Sequence, residues 1–134
     1  MLRVGFATGD GVHVDQHFGW CRRFDVYDVS AEGSLFVGTR LLESVDEEGE
    51  SGRVDARVEL VNDCGILHVS AIGGGAAARV VTARIHPVKV LETAEINSLL
   101  DRLQEVLGGT PPPWLRKLVA SSASSAASSG WTPR

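Results

Sequence analysis

The sequence predicts an α/β domain in which helices pack against a mixed five-stranded sheet. Two strand-like segments separated by a short Gly-containing turn are typical of a β-hairpin, whose strands pair antiparallel. Two later strand-like segments follow helical segments, which is the pattern of βαβ units with parallel strands. The chain has 134 residues and is 43% hydrophobic, enough for one domain with a buried core.

The first half of the chain contains three predicted strands. Alternating apolar residues predict a strand at residues 2–7, and Gly- and Asp-containing residues 8–11 end it in a loop. Residues 24–29 and 35–42 predict the second and third strands. Gly33 lies between them, so these two strands are expected to form the hairpin.

The second half alternates helices with strands. Valines at helical spacing predict a first helix that ends near residue 62, and the acidic segment 46–52 before it is expected to be a solvated loop. Residues 66–72 are nearly all apolar, as in a central strand covered on both faces. A short helix, a last strand and a final helix complete the order β-β-β-α-β-α-β-α; they are predicted at residues 76–83, 87–90 and 95–107.

Composition divides the chain and excludes several classes of protein. Residues 1–118 are expected to form the domain, and the Ala- and Ser-rich residues 119–134 a flexible tail. A net charge of −4 argues against a nucleic-acid-binding protein, and no apolar run has the roughly 20 residues of a membrane-spanning helix. The sequence begins directly with a strand pattern, so we expect no signal peptide. Two cysteines make no disulfide framework, which favours a reducing cytoplasm.

The loop after the first strand contains potential metal ligands. His13, His17 and Cys21 are spaced four residues apart in a Gly-flanked segment, and imidazole and thiolate are ligands for iron, zinc and copper. One hypothesis is therefore a small zinc protein that uses these three residues. The alternative is an ordinary polar loop, because spacing fixes no geometry outside a helix.

A second candidate site lies at the turn between a buried strand and a short helix. Gly73 and Gly75 fit a G-x-G-x-x-A pattern, and Glu92 follows near the end of the next strand, as in a dinucleotide-binding motif. This pattern gives the hypothesis of a small nucleotide-binding protein. The alternative is a tight turn in which glycine permits close packing.

The third candidate is a proline-rich segment at residues 108–117. Its three prolines predict an extended polyproline stretch, followed by the apolar Trp114 and Leu115. Such a segment either folds back to cover the core or docks a partner. No order of Ser, His and Asp or of Cys, His and Asn suggests a nucleophile with its base, so catalysis is not indicated.

Taken together, these segments resemble the dinitrogenase iron–molybdenum cofactor biosynthesis family, and within it the NifX-like members. The similarity extends from residue 2 to about residue 118. The two most specific motifs are DQHFG at residues 15–19 and PPPWLRK at residues 111–117. The other matching segments are VGFAT at 4–8, FDVY at 24–27, NDC at 62–64, VSAIGG at 69–74 and IHPVKV at 85–90.

The resemblance implies a non-catalytic carrier of a metal cluster. Family members bind the iron–molybdenum cofactor or its iron–sulfur precursor and pass it to an assembly scaffold or to apo-dinitrogenase, and their fold is ribonuclease H-like. The resemblance implies that His17 and Cys64 ligate the metal. The remaining expected binding residues are Cys21, Arg22, Gly73 and Gly74, with Arg23 and Arg79 as further cations that offset the negative cluster. We expect a cytoplasmic monomer or weak oligomer.

Overall fold

The computed structural model describes residues 1–43 and 49–128, which form a five-stranded sheet with helices on both faces. The strands are β1 (Leu2–Ala7), β2 (Arg23–Ser30), β3 (Gly33–Leu41), β4 (Ile66–Val69) and β5 (His86–Lys89). The helices are the single 3-10 turn η1 (Phe18–Trp20) and α1 (Gly49–Val61), α2 (Gly74–Thr82), α3 (Ile96–Gly108) and α4 (Pro113–Ser128).

The strands lie in the order β3-β2-β1-β4-β5, and the sheet is mixed as predicted. β1 pairs antiparallel with β2, which pairs antiparallel with β3 in the predicted hairpin. On the other side β1 pairs parallel with β4, and β4 pairs parallel with β5. The carboxyl ends of β1, β4 and β5 therefore meet at one edge of the sheet, and their amino ends meet at the opposite edge.

Each face of the sheet has its own hydrophobic core, because successive side chains of a strand point to opposite faces. Phe24 of β2 packs with α1 and α2 in one core, here called the α1–α2 core. Phe6 of β1 packs with α3 and α4 in the other, the α3–α4 core. All residues of β4 are buried, which confirms the prediction of a strand covered on both faces.

The sequence interpretation differs from the structure in the acidic loop and in the proline-rich segment. The predicted acidic loop at residues 46–52 is shorter, since Gly49 already begins α1; its residues 46–48 lie outside the described residues. The segment expected to be an extended polyproline stretch becomes helical at Pro113, because proline is compatible with the first turn of a helix. Leu115 of this helix is buried in the α3–α4 core, whereas Trp114 stays 42% exposed.

Helix α4 crosses the predicted domain boundary at residue 118 and ends at Ser128. The last residues, 129–134, lie outside the described part of the chain, so the flexibility of the tail stays a prediction. Among the described residues no helix is long and apolar enough to cross a membrane.

His68 in β4 is a buried polar side chain within the α3–α4 side of the sheet. Its ring stacks on the Phe6 ring at 4.7 Å between centroids and 11° between planes. Its Nδ1 atom is buried and has no hydrogen-bond partner among the described residues. Burial lowers the pKa of His68 to about 4, against the opposing effects of a backbone hydrogen bond with Gly5, so the folded protein holds this ring neutral.

We therefore expect His68 to make the fold acid-sensitive. An unfolded chain protonates this ring near pH 6.5 and the folded chain only near pH 4, so stability is full above pH 6.5 and falls between these values. The loss is about 3 kcal/mol of unfolding free energy. Urea denaturation of wild type and of His68→Leu, at pH values from 7.5 to 4, measures this loss of unfolding free energy. The variant should lose clearly less stability over this range; parallel curves would contradict this role of His68.

Candidate functional site

The loop between β1 and β2 crosses the carboxyl edge of the sheet and is anchored on both faces. Val14 and Phe18 are both 0% exposed, and they enter different cores. Val14 packs in the α3–α4 core and Phe18 in the α1–α2 core. Because the two side chains enter opposite faces, residues 15–17 between them lie across the end of the sheet.

Backbone hydrogen bonds tie this loop to the segments that follow β4 and β5. The Phe18 N–H donates to the Ala71 carbonyl at 2.8 Å, so the loop continues the sheet beyond β4. On the other side the Val14 N–H donates to the Ala94 carbonyl at 2.9 Å. The carboxyl edge of parallel strands is where α/β folds commonly bind ligands, and here the loop forms the surface of that edge.

The His13 side chain forms its contact within the loop, with Asp10. The Asp10 carboxylate accepts hydrogen bonds from the backbone N–H groups of Val12 and His13, both at 2.8 Å, and its other oxygen lies 2.8 Å from His13 Nδ1. The hydrogen bond between the two side chains is the main reason that the pKa of Asp10 is lowered and that of His13 raised. His13 therefore stabilises the turn at the start of the loop.

His17 is exposed and lies directly before η1. We call the position of His17 the crest of the loop. Its Nδ1 atom accepts a hydrogen bond from the Gly19 N–H at 3.0 Å and so caps the 3-10 turn. A ring nitrogen that accepts is unprotonated, so the neutral ring carries its proton on Nε2. The imidazole is thus oriented by the backbone while its other nitrogen remains available to an external partner.

The amino terminus of α2 lies next to the crest. His17 forms an isolated parallel β-bridge with Ala71, and Gly73, two residues further on, is the N-cap of α2. No side chain caps this helix end, so its first N–H groups present partial positive charge. A Cβ atom at Gly73 or Gly74 would meet nothing within 4 Å, and Gly73 has φ −72°. Close packing therefore does not explain these glycines, and the backbone N–H groups beside them are not covered by side chains at these two positions.

Cys21 lies beneath the loop and points into the α1–α2 core. Its side chain is 0% exposed, and its thiol donates a hydrogen bond to the Arg23 carbonyl at 2.8 Å. Burial raises the pKa of the Cys21 thiol to about 11, so it is protonated at neutral pH. Cys21 is close to His17 in the chain but does not share its exposed surface.

Cys64 lies at the other edge of the sheet, just before β4 begins. It is 3% exposed, and burial raises the pKa of its thiol to about 12, with the Asp63 carboxylate as the next cause. From Ile66, the first residue of β4, to Ala71, which pairs with His17, five residues at about 3.3 Å each cover on the order of 15 Å along the strand direction. The structure therefore does not bring the two expected metal ligands His17 and Cys64 together.

The arginines expected near the cluster differ in their availability. Arg22 is exposed directly after η1 and belongs to the same edge as His17. Arg23 is paired with Asp25, with its Nε 3.0 Å from Asp25 Oδ1. Arg79 pairs with Asp55 of α1. Within the described part of the chain, Arg22 is thus the one of these three arginines that forms no ion pair with a carboxylate.

Helix α1 supplies residues that the sequence interpretation missed. The Arg53 guanidinium lies 4.5 Å from the centre of the Trp20 ring, which is 63% exposed in η1. The buried Arg57 donates through Nε to the Cys21 carbonyl at 2.8 Å. Arg53 and Arg57 are four residues apart and thus on one face of α1, a spacing that could have indicated a basic face.

The two alternative hypotheses gain no support from the geometry. The proposed zinc ligands point to different environments, since His13 pairs with Asp10 and Cys21 enters the core. Within residues 1–43 and 49–128, no group of three or more His, Cys, Asp or Glu side chains is placed to hold a metal ion. For the nucleotide hypothesis, Gly73 does precede a helix, but α2 has only 9 residues and Glu92 is exposed beyond β5.

Fold and site together define a mixed α/β protein whose candidate site is an exposed imidazole beside a helix amino terminus. Comparison with known families is specific: the model described as "Dinitrogenase iron-molybdenum cofactor" matches residues 1–106. The chain belongs to this family, which confirms the resemblance; the matched residues include the DQHFG motif at 15–19.

Individual relatives agree with this assignment. The chain is similar to Protein NifX of Herbaspirillum seropedicae, with 45% identity over 117 residues, 87% of this chain and 80% of that protein. It is also similar to the FeMo cofactor biosynthesis protein NifB of the same organism, with 31% identity over 115 residues, 81% of this chain and 22% of NifB. The crystal structure of PH0822 shares the fold at a TM-score of 0.63 and 18% identity, over 84% of this chain and 99% of that one.

The burial of both thiols predicts slow alkylation of the native protein. Iodoacetamide reacts with thiolates, and pKa values of about 11 and 12 leave few of them at pH 8. Mass spectrometry should therefore show rapid modification of Cys21 and Cys64 only in urea. Rapid modification of Cys64 under native conditions would contradict its burial and restore it as an accessible ligand.

Proposed function

We propose that this protein binds the nitrogenase iron–molybdenum cofactor or its iron–sulfur precursor at the carboxyl edge of the sheet, without catalysing a reaction, and passes it on. Membership of the family ties the chain to iron–molybdenum cofactor biosynthesis. The observation that carries the finer proposal is His17, an exposed imidazole held at the crest of a loop that is anchored in both cores. Imidazole nitrogen is a suitable ligand for iron, and the open surface admits a large cluster.

The charge of the cluster supports the same location. Iron–sulfur clusters with sulfide and thiolate or organic acid ligands are anions, and anions bind well at uncapped helix amino termini. The first N–H groups of α2 lie beside His17 and have no side-chain cap. The exposed Arg22 adds a full positive charge at this edge. We infer that Gly73, Gly74 and Arg22 contact the cluster through hydrogen bonds and charge, while His17 ligates it.

The capping bond of His17 explains how the cluster would be held and still released. A metal on Nε2 requires the ring proton to move to Nδ1, and a protonated Nδ1 no longer accepts from the Gly19 N–H. Cluster binding therefore costs the capping bond, about 1 kcal/mol, which corresponds to roughly a fivefold weaker affinity. When the cluster leaves, the capping bond forms again and favours its departure.

The cysteines have a smaller place in this proposal. Cys64 is on the opposite edge and buried, so the site at His17 works without it. Cys21 would reach the crest only after losing its hydrogen bond to the Arg23 carbonyl and leaving the core. A single protein ligand from His17 suits a carrier, because a full set of thiolates would retain the cluster.

A carrier needs a donor and an acceptor of the cluster. We propose that a nitrogenase cofactor-assembly scaffold supplies it and apo-dinitrogenase receives it, as the family resemblance implies, in the cytoplasm. Similarity to NifX and to NifB, which is named for biosynthesis of the same cofactor, supports this setting. The protein is expected to act as a monomer or weak oligomer.

Replacing His17 separates its two roles. His17→Ala removes both the metal ligand and the cap, whereas His17→Asn keeps an acceptor for the Gly19 N–H and removes the imidazole. In anaerobic titrations with isolated precursor cluster, followed by absorption and gel filtration, both variants should bind at least about tenfold more weakly than wild type.

The stability of the same variants provides the control. Only His17→Ala should lose stability, by about 1 kcal/mol, since Asn replaces the capping acceptor. If His17→Asn binds the cluster like wild type, His17 is a structural cap and the ligand assignment is wrong.

Gly74 tests the role of the α2 amino terminus. A methyl group at Gly74 meets no neighbour, so Gly74→Ala should fold normally and gain up to about 1 kcal/mol in stability, because alanine restricts the unfolded chain. The added group would keep the cluster away from the N–H groups and weaken its binding several-fold in the same titration. Gly33→Ala, also in open space but at the β2–β3 turn, is the matched control. Unchanged affinity of Gly74→Ala would remove the helix terminus from the site.

A further inference from the structure

A groove lies at the amino end of β5, at the edge of the sheet opposite the His17 loop. Its walls are the carboxyl end of α2, the start of β5 and the start of α4, and its volume is about 600 Å³. We call it the α2–α4 groove and define it by Val81, Arg84, His86, Trp114 and Lys117. It contains the tryptophan of the proline-rich segment, which the proposed cluster site leaves unused.

The groove exposes apolar and aromatic surface. The rings of His86 and Trp114 stack with 4.1 Å between centroids and 19° between planes. Trp114 is 42% exposed and Val81 is 58% exposed, although both are large apolar side chains. A partly exposed tryptophan held by a stacking neighbour is the kind of rigid surface that serves as an anchor in protein interfaces.

The charges around the groove are positive. Arg84 and Lys117 line the groove. Within residues 1–43 and 49–128, neither of them forms an ion pair with a carboxylate. The chain as a whole carries −4, so this surface has the opposite sign to the average of the molecule. An acidic segment is therefore attracted to this surface, although the chain as a whole is negative.

Backbone pairing is an unsuitable way to use this edge. β5 is the last strand of the sheet, and the His86 and Val90 N–H groups already donate toward β4. Pro87, which alternates with them and faces outward, has no N–H to donate to an added strand. Pro87 thus makes the addition of a strand here less favourable, which leaves the side chains of the groove as the better means of recognition.

We propose that the α2–α4 groove binds an acidic peptide segment of a protein partner. An apolar side chain of the peptide packs between Trp114 and Val81, and its neighbouring carboxylates pair with Arg84 and Lys117. This proposal does not depend on the cluster site, because the groove is at the opposite edge of the sheet. A partner held here leaves His17 accessible.

The test is an NMR titration of the isotope-labelled full chain without cluster. The probe is a short synthetic peptide with a Leu-Trp pair flanked on both sides by glutamates. Two control peptides replace the glutamates by lysines or the Leu-Trp pair by serines. Saturable shifts are expected for the acidic apolar peptide alone, and they should be confined to residues 81–86 and 114–118.

Substitutions of the two cations test the contacts. Arg84 has φ 66°, a left-handed conformation that asparagine tolerates, so Arg84→Asn removes the charge without backbone strain. Arg84→Asn combined with Lys117→Glu should weaken peptide binding at least about fivefold. Arg102→Glu, an exposed cation of α3 outside the groove, is the matched control and should bind as wild type does.

Several results would overturn the proposal. Equal binding of the basic peptide, equal binding by the doubly substituted protein, or shifts centred outside the groove would each contradict it. Absence of saturable shifts with all three peptides would do the same. Concentration-dependent broadening of the groove resonances without peptide would identify a second copy of the chain as the occupant instead.

Discussion

The insertion of Val14 and Phe18 into opposite cores is the constraint on which the site depends. Each side chain fixes one end of a short stretch of loop, and the stretch between them has to cross the end of the sheet. Hydrogen bonds to the Ala71 and Ala94 carbonyls then fix the position of this stretch beyond the ends of β4 and β5. The position of His17 is thus a consequence of packing in both cores, which gives an exposed residue the precision of a buried one.

In the proposed site the same imidazole has a structural and a functional role. Its Nδ1 caps η1 in the structure, and we propose that its Nε2 binds the cluster. Because capping needs the ring proton on Nε2 and metal binding needs it on Nδ1, the proposed binding costs the free energy of the capping bond. In the same proposal the helix amino terminus at Gly73 adds electrostatic attraction without a covalent bond, which suits a cargo that has to be released.

The sequence predicted most of the fold because hydrophobic periodicity reports which face of each element is buried. The apolar run of β4 predicted its burial on both faces, and the βαβ pattern predicted the parallel pairing. The alternation in β1 predicted a strand but not its burial, because β1 lies in the centre of the sheet and is buried on both faces. Periodicity does not report which residues meet across the fold. Cys64 was therefore placed with His17 on family resemblance, although the direction of β4 separates them, and the contact of Arg53 with Trp20 depends on where α1 crosses η1. The helix from Pro113 was missed because prolines also fit a first helical turn.

Ligation by His17 is tested most directly by pulsed EPR of the protein loaded anaerobically with the finished cofactor, after labelling of its histidines with ¹⁵N. This measurement detects a nitrogen bonded to the metal cluster and reports it independently of affinity. Ligation by His17 predicts a ¹⁵N coupling in the wild-type complex that is absent when residual cofactor is trapped on His17→Asn. The same coupling in that variant, or none in the wild type, would contradict ligation by His17.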